Sequence, residues 1–152
     1  YYTETEFYHM IESDARNNNW INKLPSKQSA IILLEGVSMY FKTEELKKLL
    51  ASLNNYFTSV NLLMDCYTNR AASASKYKNP INDVGVTEVY GLDEPKLLES
   101  NTGLKFINEF DMTPAEMIDE LKGAERFIFR HIFGGKISKT MYRLFYFTTD
   151  KT

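Results

Sequence analysis

The side chains able to do nucleophilic, acid–base or metal chemistry are few and scattered in this chain. It has two histidines, His9 and His131, and one cysteine, Cys66. The histidines stand far apart with no H-E-x-x-H or carboxylate spacing around either, so they do not compose a zinc site and read as structural. Cys66 closes an apolar run where nothing nearby would lower its pKa, the setting of a buried inert thiol. Ser29 and Ser38 lack the G-x-S-x-G elbow that exposes a hydrolase nucleophile. Gly134-Gly135-Lys136 follows a helical pattern instead of a strand and has Ile137 where a phosphate loop places Ser or Thr. The basic positions from Lys122 to Arg143, opposed by Glu125 alone, read as a solvated helix face. What remains is carboxylates whose position counts. Glu35-Gly36 ends one apolar run, Asp65 sits near the end of another, and Ser13-Asp14 follows a short N-terminal strand candidate. In open α/β sheets ligands bind beyond the carboxyl ends of the strands. A carboxylate there can accept from a ligand amine or hydroxyl, and a glycine beside it lets ligand and backbone approach closely. The structural alternatives are that Asp14 begins a turn and Glu35 caps the next element.

The elements that would position these groups alternate between apolar runs and helical patterns, which points to an α/β fold with a mainly parallel sheet. Ala30 to Leu34 is continuously apolar, as expected of a strand covered on both faces. Thr43-Glu44-Glu45 offers an N-cap and two first-turn acids, and Leu46, Leu49, Leu50, Leu53 and Phe57 follow at helical spacing. Val60 to Cys66 is a second strand, which completes a βαβ unit. From Asn69 to Val86 the pattern weakens to a short helix and a long loop around Asn79-Pro80. Asp93-Glu94-Pro95 opens a short helix through Leu98, Asn101-Thr102-Gly103 stops it, and Leu104 to Phe110 alternates like a strand. Thr113-Pro114-Ala115-Glu116 carries the signals of a helix start. Met117, Leu121, Ala124, Ile128 and Ile132 predict one helical face that Gly134-Gly135 would end. Met141 to Thr149 supplies a last strand. At the other end Phe7 to Ile11 is a strand candidate and Asn17-Asn18-Asn19 suits a turn.

With 152 residues, 43% hydrophobic, 14% aromatic and 25% charged, the chain has the composition of one globular domain. A chain of that length buries roughly 70% of its unfolded surface without staples. The single cysteine excludes an internal disulfide framework and points to a reducing compartment, the cytoplasm. A net charge of −2 gives no basic excess for nucleic acid, and no apolar run approaches the roughly 20 residues of a membrane helix. The chain opens Tyr1-Tyr2-Thr3-Glu4 without a starting Met or targeting stretch, so residues 1–152 are expected to be a single, partial domain.

The run Ala30-Ile31-Ile32-Leu33-Leu34-Glu35-Gly36-Val37-Ser38-Met39-Tyr40-Phe41, with Thr43-Glu44-Glu45-Leu46 and the leucine-striped helix after it, resembles the fourth strand and following segment of the leucine carboxyl methyltransferase family. The similarity is greatest to its tetracenomycin-type branch of polyketide O-methyltransferases. Tyr1 to Ile11 resembles the stretch between that family's second and third strands. Met141 to Tyr146 is similar to its last strand. The resemblance implies a class I S-adenosylmethionine-dependent methyltransferase fold, Rossmann-like, of which this chain is the carboxyl-terminal part lacking the first two strands. S-adenosylmethionine is the cofactor it implies, and the methyl acceptor would be a carboxylate or hydroxyl of a small molecule of polyketide type or of a protein C-terminus. Asp14 would accept from the adenine amine, Ala15 would lie against the ring edge, Glu35 and Gly36 would border the methionine moiety, and Met39 and Tyr40 would wall the cleft near the methyl group. Tyr67, Arg70 and Tyr77 are long side chains that could approach the acceptor, without assigned roles.

Two parts of the family pattern are missing. The glycine-rich turn after the first strand has no counterpart, since the seven glycines never form G-x-G, and the acidic residue that would hold the ribose hydroxyls is absent. Without the first strand, segment 30–35 is expected to have an open edge, a site for dimerisation. The alternative function is therefore a non-enzymatic interaction module that pairs through this edge by β-augmentation.

Overall fold

A computed structural model describes residues 3–25, 28–75, 88–133 and 139–149, except for the side chains of 132 and 133. Four strands form one sheet: β1 (Ser29–Leu34), β2 (Ser59–Tyr67), β3 (Leu104–Phe110) and β4 (Tyr142–Thr149), in the order β1-β2-β4-β3. β1 and β2 are parallel, joined by helix α1 (Thr43–Tyr56), and β4 inserts antiparallel between β2 and β3. The remaining helices are α2 (Asn69–Ala74), α3 (Ala115–Glu120) and α4 (Gly123–Ile128), which runs on as a π-helical turn at Phe129–Phe133. Short 3-10 turns lie at Asn18–Lys23, Ser38–Tyr40 and Pro95–Leu98.

Period sets the core. Leu46, Leu49, Leu50 and Leu53 return on one face of α1 at three- and four-residue intervals, and all are buried. Alternate residues of β2, namely Val60, Leu62, Met64 and Cys66, meet them in one cluster with Phe145 and Phe147 of β4. Phe106 packs edge-on against both phenylalanines, with ring centroids 5.9 and 5.6 Å apart. At the far end of β4, Arg143 clasps both carboxylate oxygens of Glu109 at 3.0 and 2.6 Å. This bond between β4 and β3 holds the Glu109 carboxyl below its ordinary range.

The strands, the α1 stripe, the short turn at Pro95–Leu98 and the stop at Asn101 and Gly103, both at positive φ, lie where the sequence places them. At α1 the N-cap is Lys42, one residue before the expected Thr43, and its backbone N–H donates to Glu45 Oε2 at 2.9 Å. The sheet is mixed, with one parallel pairing and two antiparallel ones, where the sequence points to a mainly parallel sheet, because β4 returns between β2 and β3. Three further expectations fail. β1 is not covered on both faces: Ile31 is 81% and Leu33 67% exposed while Ile32 and Leu34 face the core. α1 serves only one side of the sheet, and no described helix closes the other side over β1. Second, Phe7–Ile11 is not a strand but part of a tight turn closed by the Thr5–Tyr8 pair, with Phe7 91% exposed. A strand needs a ladder partner, and among the described residues the backbone pairing of this segment is the Thr5–Tyr8 bridge of its own turn. Third, the expected helix from Ala115 to Ile132 breaks at Leu121 and Lys122, both extended, before Gly123 at φ +56°. Of its buried-face candidates Met117 is 63% and Ile128 42% exposed, and Ile118 alone of α3 and α4 is buried. Without a packing surface, propensity does not carry a helix through a glycine. Asn79-Pro80 and Gly134-Gly135 lie outside the described residues.

The two faces differ in what truncation should cost. Leu50→Ala, at 1% exposure, is expected to destabilise the chain by about 3 kcal/mol, and Leu33→Ala by less than about 0.5 kcal/mol, both read from denaturant unfolding midpoints. Equal losses at the two positions would mean that the outer face of β1 is covered.

Candidate functional site

At the carboxyl ends of the parallel strands, β1 passes through Glu35 into Gly36, which adopts φ +65°, a left-handed conformation that glycine takes at no steric cost. An ideal Cβ there would meet nothing within 4 Å, so the turn borders open space. Its N–H donates to both oxygens of Asp65, at 3.0 and 2.8 Å. Asp65 is only 4% exposed. It shares its face of the sheet with Leu63 and Leu144 and also accepts from the Tyr142 hydroxyl at 2.7 Å. Burial first, and then this bond to a carboxylate, push the Tyr142 phenol well above its ordinary range, which keeps it a donor.

Beyond Gly36 the Ser38–Tyr40 turn is fixed from several sides. The Ser38 hydroxyl donates to the backbone carbonyl of Asp65 and lies 3.5 Å from Cys66 Sγ. The Met39 carbonyl accepts from Tyr90 N at 2.8 Å, and Leu92 N donates to the Tyr67 carbonyl at 2.8 Å. Between them, Gly91 lies so close to the start of α2 that a Cβ would fall 2.4 Å from Asn69 N. Met39 is buried with Ala72 and Val89 in a second, small cluster flanked by Tyr67 and Tyr142, whose rings meet edge-on at 5.3 Å. Burial pushes the Cys66 thiol up to about 12, in keeping with an inert side chain.

A cleft of about 210 Å³ opens on the uncovered face beside this turn, lined by Leu33, Leu34, Glu35, Leu63, Asp65, Met112 and Leu144. Its floor is apolar and its two carboxylates, Glu35 and Asp65, stand at the carboxyl ends of β1 and β2. Ligand pockets for drug-sized molecules run from about 300 to 1,000 Å³. This cleft is smaller and open, one wall of such a pocket.

Of the residues picked from the sequence, Glu35, Gly36, Met39 and Tyr40 come together in one turn. Glu35 is exposed and lines the cleft; Met39 is buried behind the turn; Tyr40 is 37% exposed. Asp14 and Ala15 have a different setting. The Asp14 carboxylate is exposed and clasped by Arg16, with Nε at 3.0 Å from Oδ1 and Nη2 at 2.8 Å from Oδ2, and it also accepts from Arg16 N at 2.9 Å. Arg16 thereby lowers its pKa. Asp14 does begin a turn, the structural alternative for this residue, while Ala15 packs against the main core. Neither lines the cleft. Arg70 is exposed on α2, and Tyr77 lies outside the described residues. The residue that strand-end reasoning missed is Tyr142, whose partner Asp65 is 77 positions away. No local pattern carries a pairing of that span. Among the described residues, no group of three or more His, Cys, Asp or Glu could hold a metal ion, and no helix is long and apolar enough to cross a membrane.

Over 128 residues the chain is 21% identical to the tetracenomycin polyketide synthesis O-methyltransferase TcmP of Streptomyces glaucescens. The alignment covers 84% of this chain and 47% of that enzyme, so the chain spans about half the length of the curated relative it matches. It supports a distant relationship to that O-methyltransferase's family. No family model matches the chain, and no solved structure matches it.

Because the folded chain holds the Tyr142 phenol above the ordinary tyrosine value, the stability this group contributes is fully present below about pH 10. It is lost as pH rises from there toward the higher folded value. Urea unfolding between pH 8 and pH 11 (both about, spanning the tyrosine range) is expected to show a smaller alkaline loss in Tyr142→Phe than in the parent chain. The same loss in both would mean that the phenol is not held protonated by the fold.

Proposed function

We propose that this chain is the carboxyl-terminal portion of an S-adenosylmethionine-dependent O-methyltransferase domain, and that its Glu35–Tyr40 turn forms one wall of the cofactor site. The observation that carries the reading is the relationship to an O-methyltransferase across 84% of the chain. The four-stranded mixed sheet is compatible with a Rossmann-like methyltransferase whose first strands lie outside these residues. The residues fit one side of such a cofactor. The apolar cleft suits a molecule with a carbon-rich body, Glu35 at its rim offers an acceptor to an amine or hydroxyl, and the open space at Gly36 admits close approach to the backbone. When bound, the cofactor supplies an electrophilic methyl group on a sulfonium.

On this reading the chain's own residues work by placement. Leu33, Leu34, Leu63 and Leu144 exclude water from the cleft floor, which favours a transfer that disperses charge. Glu35 and Gly36 border the methionine end and Tyr40 stands near the methyl group, while Met39, expected beside Tyr40, is buried and supports the turn from behind. Asp14 would accept from an adenine amine in place of bonds it now takes from Arg16, with Ala15 beside it, both of them away from the cleft floor. An already activated methyl group needs an acceptor held in line more than it needs a general base, in keeping with the scarcity of catalytic side chains. The acceptor is a carboxylate or hydroxyl, of a polyketide-type small molecule or of a protein C-terminus; nucleic acid and membrane are not partners on this reading. Calorimetric titration of the full reading-frame product with S-adenosylhomocysteine is expected to show binding that Glu35→Ala weakens about tenfold, on the order of one charge-assisted hydrogen bond. Absence of binding in the parent protein would overturn the reading.

A second reading is favoured by one observation. β1 is an edge strand without a proline or a charge from Ser29 to Leu34, and it exposes Ile31 and Leu33, the kind of edge that pairs with another chain. In this reading the chain is a non-enzymatic module, or forms a homodimer, through that edge. Sedimentation equilibrium distinguishes the two: the module reading requires self-association that a proline at Ile31 abolishes, and a concentration-independent monomer contradicts it.

A further inference from the structure

We propose that Asp65 is the positioning residue of this site, holding the Gly36 turn against β2 and tying it to the last strand. The inference rests on the reading above for what the turn binds, and on geometry for how the turn is held.

Asp65 breaks the pattern of its own surroundings. Along its face of the sheet the neighbours are Leu63 and Leu144, and Leu33 lies across β1, yet the side chain here is a carboxylate with 4% exposure. A buried carboxylate persists only where donors meet it, and these come from two different elements. Gly36 N–H supplies a forked bond from the turn, and Tyr142 Oη supplies a bond from β4. The main chain of the same residue accepts from the Ser38 hydroxyl two residues further along the turn. One residue therefore grips the turn at both Gly36 and Ser38. Gly36 has no side chain and stands at φ +65° beside open space, so its peptide orientation is set by the backbone, and the N–H bond to Asp65 fixes it from the cleft side. Asp65 also lines the cleft, so a ligand resting against Glu35 and Gly36 meets a backbone that Asp65 has already oriented. It acts through Gly36 and is not itself assigned to the reacting atoms.

The test compares Asp65→Ala, Asp65→Asn and Tyr142→Phe in the full reading-frame product, with amide hydrogen exchange read residue by residue and cofactor kinetics or affinity read alongside. Asp65→Ala is expected to speed exchange at Gly36 at least tenfold while the amides of Leu50 and Leu62 keep their protection. Asp65→Asn, which keeps an acceptor oxygen, should restore part of it. Tyr142→Phe should leave Gly36 protected, since its own acceptor remains. The affinity for S-adenosylhomocysteine should fall about tenfold in Asp65→Ala and less in Asp65→Asn, with the loss in KM for the methyl donor and not in kcat. Unchanged exchange at Gly36 in both Asp65 variants overturns the proposal, as does faster exchange at Gly36 with unaltered cofactor affinity. If Asp65→Ala does not fold, Asp65→Asn against Tyr142→Phe decides the same question. Should the parent protein bind no S-adenosylhomocysteine while Gly36 still opens in Asp65→Ala, the methyltransferase reading fails and the hold of Asp65 on the turn stands.

Discussion

The leucine stripe of α1, pressed onto Leu62 and Met64 of β2 and Phe145 and Phe147 of β4, is the contact from which the rest of the structure takes its arrangement. It joins the parallel βαβ unit to the antiparallel pair β3 and β4, so the sheet can be read as one surface. It also uses only one side of that surface. Ile31 and Leu33 on the other side stand in the open, although nothing in their chemistry favours exposure. Over β1 the sheet therefore has helix α1 on one face and an open apolar surface on the other.

That one-sidedness also defines the candidate site. The cleft lies on the open face, where the carboxyl ends of β1 and β2 bring Glu35 and Asp65 to an apolar floor. Its walls on the near side are complete: Gly36 is bonded to Asp65, Met39 is buried beneath, and the loop through Gly91 is wedged against α2. The cleft is open opposite that turn, and the chain spans 47% of the length of the methyltransferase relative it matches. The proposed function follows from putting these together, with the chain providing the turn that borders the methionine end of the cofactor.

Much of this was legible from residue order because the signals were local. The α1 stripe, the apolar runs of β1 and β2 and the stop at Asn101 and Gly103 depend on spacing or on backbone freedom within a few residues. The failures came where a distant partner decides the outcome. Among the described residues Phe7–Ile11 pairs only within its own turn, while Met117 and Ile128 have helical spacing but stay exposed, and Gly123 divides the helix. The site shows the same division. Glu35 and Gly36 were visible as a strand end followed by a glycine, and Asp65 as another strand end. The bond of Gly36 to Asp65 follows from β1 lying beside β2, but that of Asp65 to Tyr142 depends on the insertion of β4 beside β2, which no spacing within the sequence encodes. Asp14 was legible as a carboxylate after an apolar segment, while its bond to Arg16 was the part that decided its setting.

The central claim is that the turn at the end of β1 is where the methyl donor binds. The measurement that tests it most directly is amide chemical-shift mapping of the isotopically labelled protein on addition of S-adenosylhomocysteine. The largest movements are expected at Gly36, Ser38, Met39 and Tyr40. No movement at these amides, or movement confined to α3 and α4, would contradict it.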